Sequence, residues 1–343
     1  MSKEKIKVFF AAPNHFDLYK LFEKNLTLLG YDVITFSPKP YKYPNFKKKL
    51  INFLLKTTRI DPNYKEKQRL LQQQEQLNDK IASTEVFDYG LFLRADLLYP
   101  EVIDQVKQKT KKMIAYQYDG LDRFPAIRNV WDKFDVFFAF DPFDLQNHPE
   151  KLKPLTNFYF DMHASSREKI KNNSLYFLGS YSKDRYESLL SLEKALIKCK
   201  ADYELNFYLE ERYLKKIRIQ PESKIKFTSK RTEFSDYLSE TESAGVIVDI
   251  SGNFHQGLSF RVFESIGLQK KLVTTNPYVK EFDFYNENNI LVWDNDTEKL
   301  ESFLKSSYTE LTDDVRKKYA FSNWIRYVFD LPPFQKITLP ENN

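Results

Sequence analysis

The stretch from Val248 to Asn276 gathers the residues best suited to handling a phosphorylated ligand. A strand runs into a loop with Gly252 and Gly257, then a helix over Phe260 to Leu268, then a strand over Lys271 to Thr274. The first amides of a helix have no partner inside it and sit at the positive end of its dipole, so a diphosphate placed there gains both hydrogen bonds and charge. Gly257 permits close approach of a phosphate, and Leu258 and Ser259 lead from it into the helix. Arg261 follows the loop within one turn, where it either reaches a phosphate or forms a surface ion pair. Glu264 lies about two turns in, where a carboxylate can accept both hydroxyls of a ribose.

Other candidates are more dispersed. Gly179 and Ser180 end a strand, and just beyond them Lys183 or Arg185 either neutralises phosphates or belongs to a solvated helix start. Asp119 ends a strand and could orient a hydroxyl, act as a general base, or cap the next helix. His15 falls in the first strand-to-helix loop, where a lone histidine either assists chemistry or is merely solvated. The four histidines are scattered and Cys199 is the only cysteine, so neither a metal triad nor a thiolate cluster is expected. No Gly-X-Ser-X-Gly elbow and no Gly-rich Lys-Ser/Thr loop is present, which argues against serine hydrolysis and ATP hydrolysis.

These residues need a scaffold, and 343 residues, 42% of them apolar, suffice for two domains that each bury a core. The single cysteine excludes an intrachain disulfide and fits a reducing, cytoplasmic setting. The start, Met1 to Lys7, lacks the apolar stretch of a signal peptide, and no run approaches the roughly 20 apolar residues that span a bilayer. A net charge of +5 suits anionic ligands without demanding them, and no nucleic-acid reading module is found.

The pattern predicts strands over Lys5 to Ala12, Tyr31 to Phe36, Tyr89 to Arg94, Met113 to Tyr118 and Val136 to Phe140, with helices over Asp17 to Leu29, Pro100 to Lys109 and Pro125 to Lys133. Alternation resumes with strands at Leu175 to Gly179, Glu204 to Leu209, Ile225 to Phe227, Gly245 to Asp249 and Ile290 to Trp293, and helices at Tyr186 to Cys199 and Phe234 to Glu242. Strand-helix alternation of this kind builds parallel sheets that bind ligands at the carboxyl ends of their strands. The expected organisation is an α/β chain of two Rossmann-like domains facing a cleft, residues 1–168 and 169–317, followed by a C-terminal helix and tail over 318–343. The aromatic helix over Lys318 to Phe329 either crosses back to the first domain or caps the second. Phe46 to Lys56 reads as a helix with an apolar stripe and clustered lysines, which either docks on its own domain or lies on an anionic membrane. Lys65 to Lys80 reads as a polar helix.

Gln256 and Glu264 hold the spacing of two glutamates that marks the donor site of retaining GT-B glycosyltransferases, and the chain resembles that group. The resemblance implies a ribose role for Glu264 and a contact of Gln256 with the transferred sugar, Gln standing where the group has Glu. Residues Ala115 to Gly120 with Phe134 to Pro142, Tyr176 to Arg185, and Gln256 to Leu258 through Asn276 resemble bacterial capsule, exopolysaccharide and lipopolysaccharide transferases. That resemblance implies transfer from a nucleotide-sugar donor, a co-substrate, onto a glycan or lipid-linked glycan; with Lys183 or Arg185 neutralising the donor phosphates, no metal or other cofactor is expected. An epimerase of the same fold, and a silent glycan-binding scaffold, remain open alternatives.

Overall fold

The computed structural model describes residues 4–14, 17–83, 86–161, 174–215, 217, 219–252 and 255–340. By contacts the chain divides into two compact units, one of residues 1–138 and 151–153, the other of residues 139–150 and 154–343.

The first sheet uses β1 (Lys7–Ala11), β2 (Asp32–Phe36), β3 (Phe87–Leu93), β4 (Thr110–Gln117), β5 (Val136–Ala139) and β6 (Lys153–Pro154), in the order β2-β1-β3-β4-β5-β6. β1 pairs in parallel with both β2 and β3, and β3 with β4. Central parallel strands are covered on both faces, which is why β1 continues after Lys7 as Val8-Phe9-Phe10-Ala11 without polar alternation, all four of them buried. Helices α1 (Leu18–Leu28), α2 (Phe46–Thr57), α3 (Tyr64–Ile81) and α4 (Pro100–Lys107) connect these strands. Pro100 at the first turn, where no amide partner is needed, starts α4, and Val102, Ile103 and Val106 bury its inner face.

The second sheet uses β7 (Leu175–Ser180), β8 (Tyr203–Tyr208), β9 (Lys226–Thr228), β10 (Val246–Asp249), β11 (Lys271–Thr274) and β12 (Ile290–Val292), in the order β12-β11-β10-β7-β8-β9, and its pairings are parallel. Its helices include α6 (Lys183–Lys198), α8 (Phe234–Ser243) and α9 (Phe260–Gly267). Four further helices interrupt stretches read as irregular or left unassigned: α5 (Pro142–Asn147), α7 (Glu211–Leu214), α10 (Thr297–Lys305) and α11 (Asp313–Lys318). α12 (Phe321–Phe329) closes the chain.

Two expected helices come out differently. Residues 125–133 form two short 3₁₀ turns, Pro125–Asn129 and Trp131–Lys133. The buried apolar pair Ile127 and Val130 is three residues apart, matching the tighter three-residue turn. The C-terminal helix begins at Phe321 rather than Lys318 because Tyr159 captures the backbone there: its amide donates to the Tyr319 carbonyl at 3.1 Å and its carbonyl accepts from the Phe321 amide at 2.9 Å. α12 then packs Trp324 against Phe158, with ring centroids 4.8 Å apart, and the indole N–H donates to the Thr156 carbonyl at 2.9 Å. These partners belong to the second unit.

Candidate functional site

In the second sheet the chain runs from β7 outward through β8 to β9, then returns to the other side of β7 to lay down β10, β11 and β12. The direction of winding therefore reverses between β7 and β10, and a crevice at the carboxyl ends of those two strands is where open parallel sheets bind ligands. Gly179 and Ser180 end β7, and the loop from Ile250 to Ser259 joins β10 to α9. Topology thus brings the β7 and α9 candidates to one edge.

Asp249, the buried last residue of β10, organises that edge. Ser259 Oγ donates to its Oδ1 at 2.8 Å, Thr274 Oγ1 donates to its Oδ2 at 3.2 Å, and Arg261 Nη1 stands 3.5 Å away. Because the Ser259 hydroxyl is committed to Asp249, no side chain caps the start of α9. Arg261 leaves that helix start and reaches β7, where Nη2 donates to the Leu178 carbonyl at 2.5 Å and the guanidinium lies 5.5 Å from the Phe177 ring centre. Its Nε is buried without a hydrogen-bond partner among the described residues, an uncompensated donor beside the β7 end. A Cβ at Gly179 would come within 2.7 Å of the Phe177 ring, so packing against that ring requires glycine here, with Arg261 Nη2 3.4 Å away.

Glu264 lies on another face of α9, 6% exposed. The Tyr237 hydroxyl, from α8, donates to Oε2 at 2.5 Å. Burial pushes the carboxyl up to about 7, against the pull of the Tyr237 hydrogen bond and the nearby Arg261 charge. Phe260, Glu264, Gly267 and Leu268 line a small cavity together with Phe158, Tyr159, Phe160 and Leu238.

The remaining expectations fare variously. A side chain at Gly257 would stand 2.5 Å from a Phe140 ring carbon and 2.7 Å from the Phe140 carbonyl, so tight packing accounts for this glycine without a phosphate. Leu258 is a core residue, 3% exposed, whose carbonyl accepts from the Asn157 amide at 2.9 Å. Gln256 has an exposed side chain, while its backbone is fixed by Asp141 at 3.3 Å and Asn276 at 2.8 Å. Lys183 is exposed at the start of α6, 3.8 Å from Glu187, and Arg185 donates to the Ser180 carbonyl at 3.4 Å. His15 lies outside the described residues. The sequence reading missed Asp249, Thr274 and Tyr237 as site organisers. A carboxylate closing an apolar strand just before a helix-initiating serine was the available signal for Asp249; Tyr237 left none.

In the first sheet the winding reverses between β1 and β3. Arg94 follows β3 with a left-handed φ of 55° and is buried. It donates to both oxygens of Asp96 at 2.8 Å and to Asp119 Oδ2 at 2.8 Å, and its guanidinium carbon stands 3.4 Å from the Phe124 ring centre. Arg123 donates to Asp119 Oδ1 at 3.2 Å. Both oxygens of Asp119 are therefore held by arginines, and the residue anchors Arg94 and the 119–124 loop. Sequence reasoning passed over Arg94 as a strand end. Among the described residues no group of three or more His, Cys, Asp or Glu side chains is placed to hold a metal ion.

Two parallel six-stranded α/β sheets in one chain, matched by solved glycosyltransferase structures, give this chain a GT-B fold. The α-glucosyltransferase solved in complex with UDP-glucose and DNA containing an abasic site has a similar structure, with TM-score 0.56 and 12% identity over 87% of this chain and 89% of that one. An α-glucosyltransferase in complex with UDP and a 13-mer DNA containing a central A:G mismatch matches at TM-score 0.55 and 13% identity, over 94% and 95% of the two chains. No protein-family model matches the sequence, and no curated protein does.

Proposed function

We propose that this chain is a glycosyltransferase that moves a sugar, of hexosyl type, from a nucleoside-diphosphate donor to a glycan or lipid-linked glycan in surface polysaccharide biosynthesis, without a metal. The observation that carries the reading is Arg261. It spans from the uncapped start of α9 to the end of β7, at the reversal point of the second sheet, with a buried donor still unsatisfied. A pyrophosphate bound there would meet a fixed cation and the positive end of the α9 dipole, and both stabilise the charge that develops on a departing diphosphate. In this reading Gly179, Ser180, Lys183, Arg185, Gly257 and Ser259 border the phosphates, Glu264 faces the nucleoside, and exposed Gln256 meets the transferred sugar. The GT-B fold and the UDP-glucose bound by a protein of similar structure support the donor class.

The test is a thermal-shift screen across nucleoside-diphosphate sugars, followed by product analysis with glycan, lipid-linked glycan and DNA acceptors. A selectively bound donor raises the melting temperature of the native protein. Arg261→Lys keeps the charge and loses the planar fork, so donor affinity should fall by ~10-fold or more. A folded Arg261→Lys variant that binds donor as the parent does, or a screen with no hit, overturns the proposal.

A further inference from the structure

Amphipathic helices of globular proteins turn their apolar stripe inward, and α2 does the reverse. None of its residues is buried. Its inner side is given by the half-buried residues Lys48, Asn52 and Leu55, and Lys48 Nζ donates to Gln68 of α3 at 2.8 Å. On the opposite side Phe46, Leu50, Phe53 and Leu54 project outward, 75%, 46%, 63% and 51% exposed, and Ile60 just beyond the helix is 75% exposed. At about 100° per residue these four fall within one arc, with Lys49 and Lys56 flanking one edge and Lys47 the other. Leaving these side chains in water forgoes burial that every other long helix of the chain obtains.

Charge narrows what covers this face. From Val33 to Ile60 the chain holds seven basic and no acidic residues, more positive charge than the net +5 of the whole chain. Among the described residues no ion pair engages Lys47, Lys49, Lys56 or Arg59. Two copies docked through this face about a two-fold axis would set these lysines against their own counterparts with no carboxylate to separate them. A surface that is apolar at its centre, anionic around it, and extended along the whole helix fits both features: acyl chains take the stripe, and headgroup phosphates take the lysines.

We propose that α2 docks the protein on an anionic lipid surface, lying along the interface with Phe46, Leu50, Phe53 and Leu54 sunk among the acyl chains and Lys47, Lys49 and Lys56 at the headgroups. The attachment is peripheral; among the described residues no helix is long and apolar enough to cross a membrane. It does not depend on the donor site, because every residue involved lies on α2.

The experiment is sedimentation of the full chain with phosphatidylglycerol/phosphatidylcholine vesicles and with pure phosphatidylcholine vesicles. Strong, salt-sensitive binding to the first and weak binding to the second is expected. The triple charge reversal Lys47→Glu, Lys49→Glu, Lys56→Glu should lower partitioning by on the order of 100-fold. The change Phe46→Ser, Leu50→Ser, Phe53→Ser, Leu54→Ser should lower it ~10-fold or more. Circular dichroism and thermal unfolding show whether both variants stay folded, as replacement of exposed side chains predicts; should either unfold, the single changes Phe53→Ser and Lys49→Glu replace it and must still weaken binding. Equal binding to both vesicle types, unchanged binding by the folded variants, or a stable dimer that the serine variant abolishes without vesicle binding would each overturn the proposal.

Discussion

Glu264 sits between two demands: ionised, it would accept sugar hydroxyls; buried against Tyr237, it resists ionisation until a pH of about 7. Its value in the fold lies above the ordinary 4.5, so protonation favours the folded chain. That contribution is complete below about pH 4.5 and is lost as pH rises through about 7. The gap corresponds to ~3 kcal/mol. Glu264→Gln keeps the shape and an acceptor for Tyr237 but cannot ionise, so its stability relative to the parent should rise by up to ~3 kcal/mol from acid to mildly alkaline pH. Urea unfolding of both proteins at several pH values measures this, and parallel pH profiles would contradict it. The sequence made Glu264 visible as the carboxylate inside a helix that follows a glycine loop, although with α9 starting at Phe260 it lies about one turn in and not two. It hid Tyr237, whose position on α8 and lack of periodic signal gave no reason to pair it with α9. The sequence made Gly257 visible as a glycine but hid the packing around it: the space beside it is taken by Phe140, a contact between segments far apart in the chain.

Among the helices, direction of facing is what sequence periodicity leaves undetermined. α2 and α12 both show an apolar stripe, yet α2 leaves its stripe in water and α12 buries Phe321, Trp324, Ile325, Val328 and Phe329. The difference comes from partners. α12 meets the aromatic segment around Phe158, stacks Phe321 on Trp324 at 6.0 Å, and gives the indole N–H to Thr156, whereas α2 meets the glutamine-bearing side of α3. Trp324 is fully buried, so Trp324→Ala should cost ~3–5 kcal/mol in the second unit. Trp324→Phe keeps most of the volume but orphans the Thr156 carbonyl, and should cost less, ~1–3 kcal/mol. Denaturant unfolding ranks the two; equal losses would mean that the hydrogen bond, and not the packing, dominates. The start of α12 was misread for a similar reason, since the Tyr159 backbone bridge that ends α11 short of it involves residues some 160 positions away. Strand positions were legible almost throughout, because buried parallel strands are short apolar runs bounded by turns.

At the scale of the molecule, alternation announced two parallel sheets, but strand order was beyond it. Nothing local distinguishes a strand laid outside its predecessor from one laid on the far side of the first. Yet that choice locates the site. Counted from its first strand, the second sheet runs 3-2-1-4-5-6, which puts the reversal between β7 and β10 and makes neighbours of Arg261 and the Leu178 carbonyl, 83 residues apart. A nucleoside diphosphate bound there should slow amide exchange at the α9 start, residues 260–263, and at the end of β7 and its loop, residues 178–182, because both supply or adjoin its phosphate contacts. The first sheet has its own reversal, between β1 and β3, where each of the three guanidinium nitrogens of Arg94 has a carboxylate partner in Asp96 or Asp119. Its cationic group has no donor left over of the kind Arg261 retains, so exchange at residues 94–98 should be unchanged by the nucleotide. Hydrogen-exchange mass spectrometry with and without UDP separates the cases. Slowing confined to residues 94–98, or spread evenly over both sheets, would move the phosphate site away from Arg261 and take the donor assignment with it.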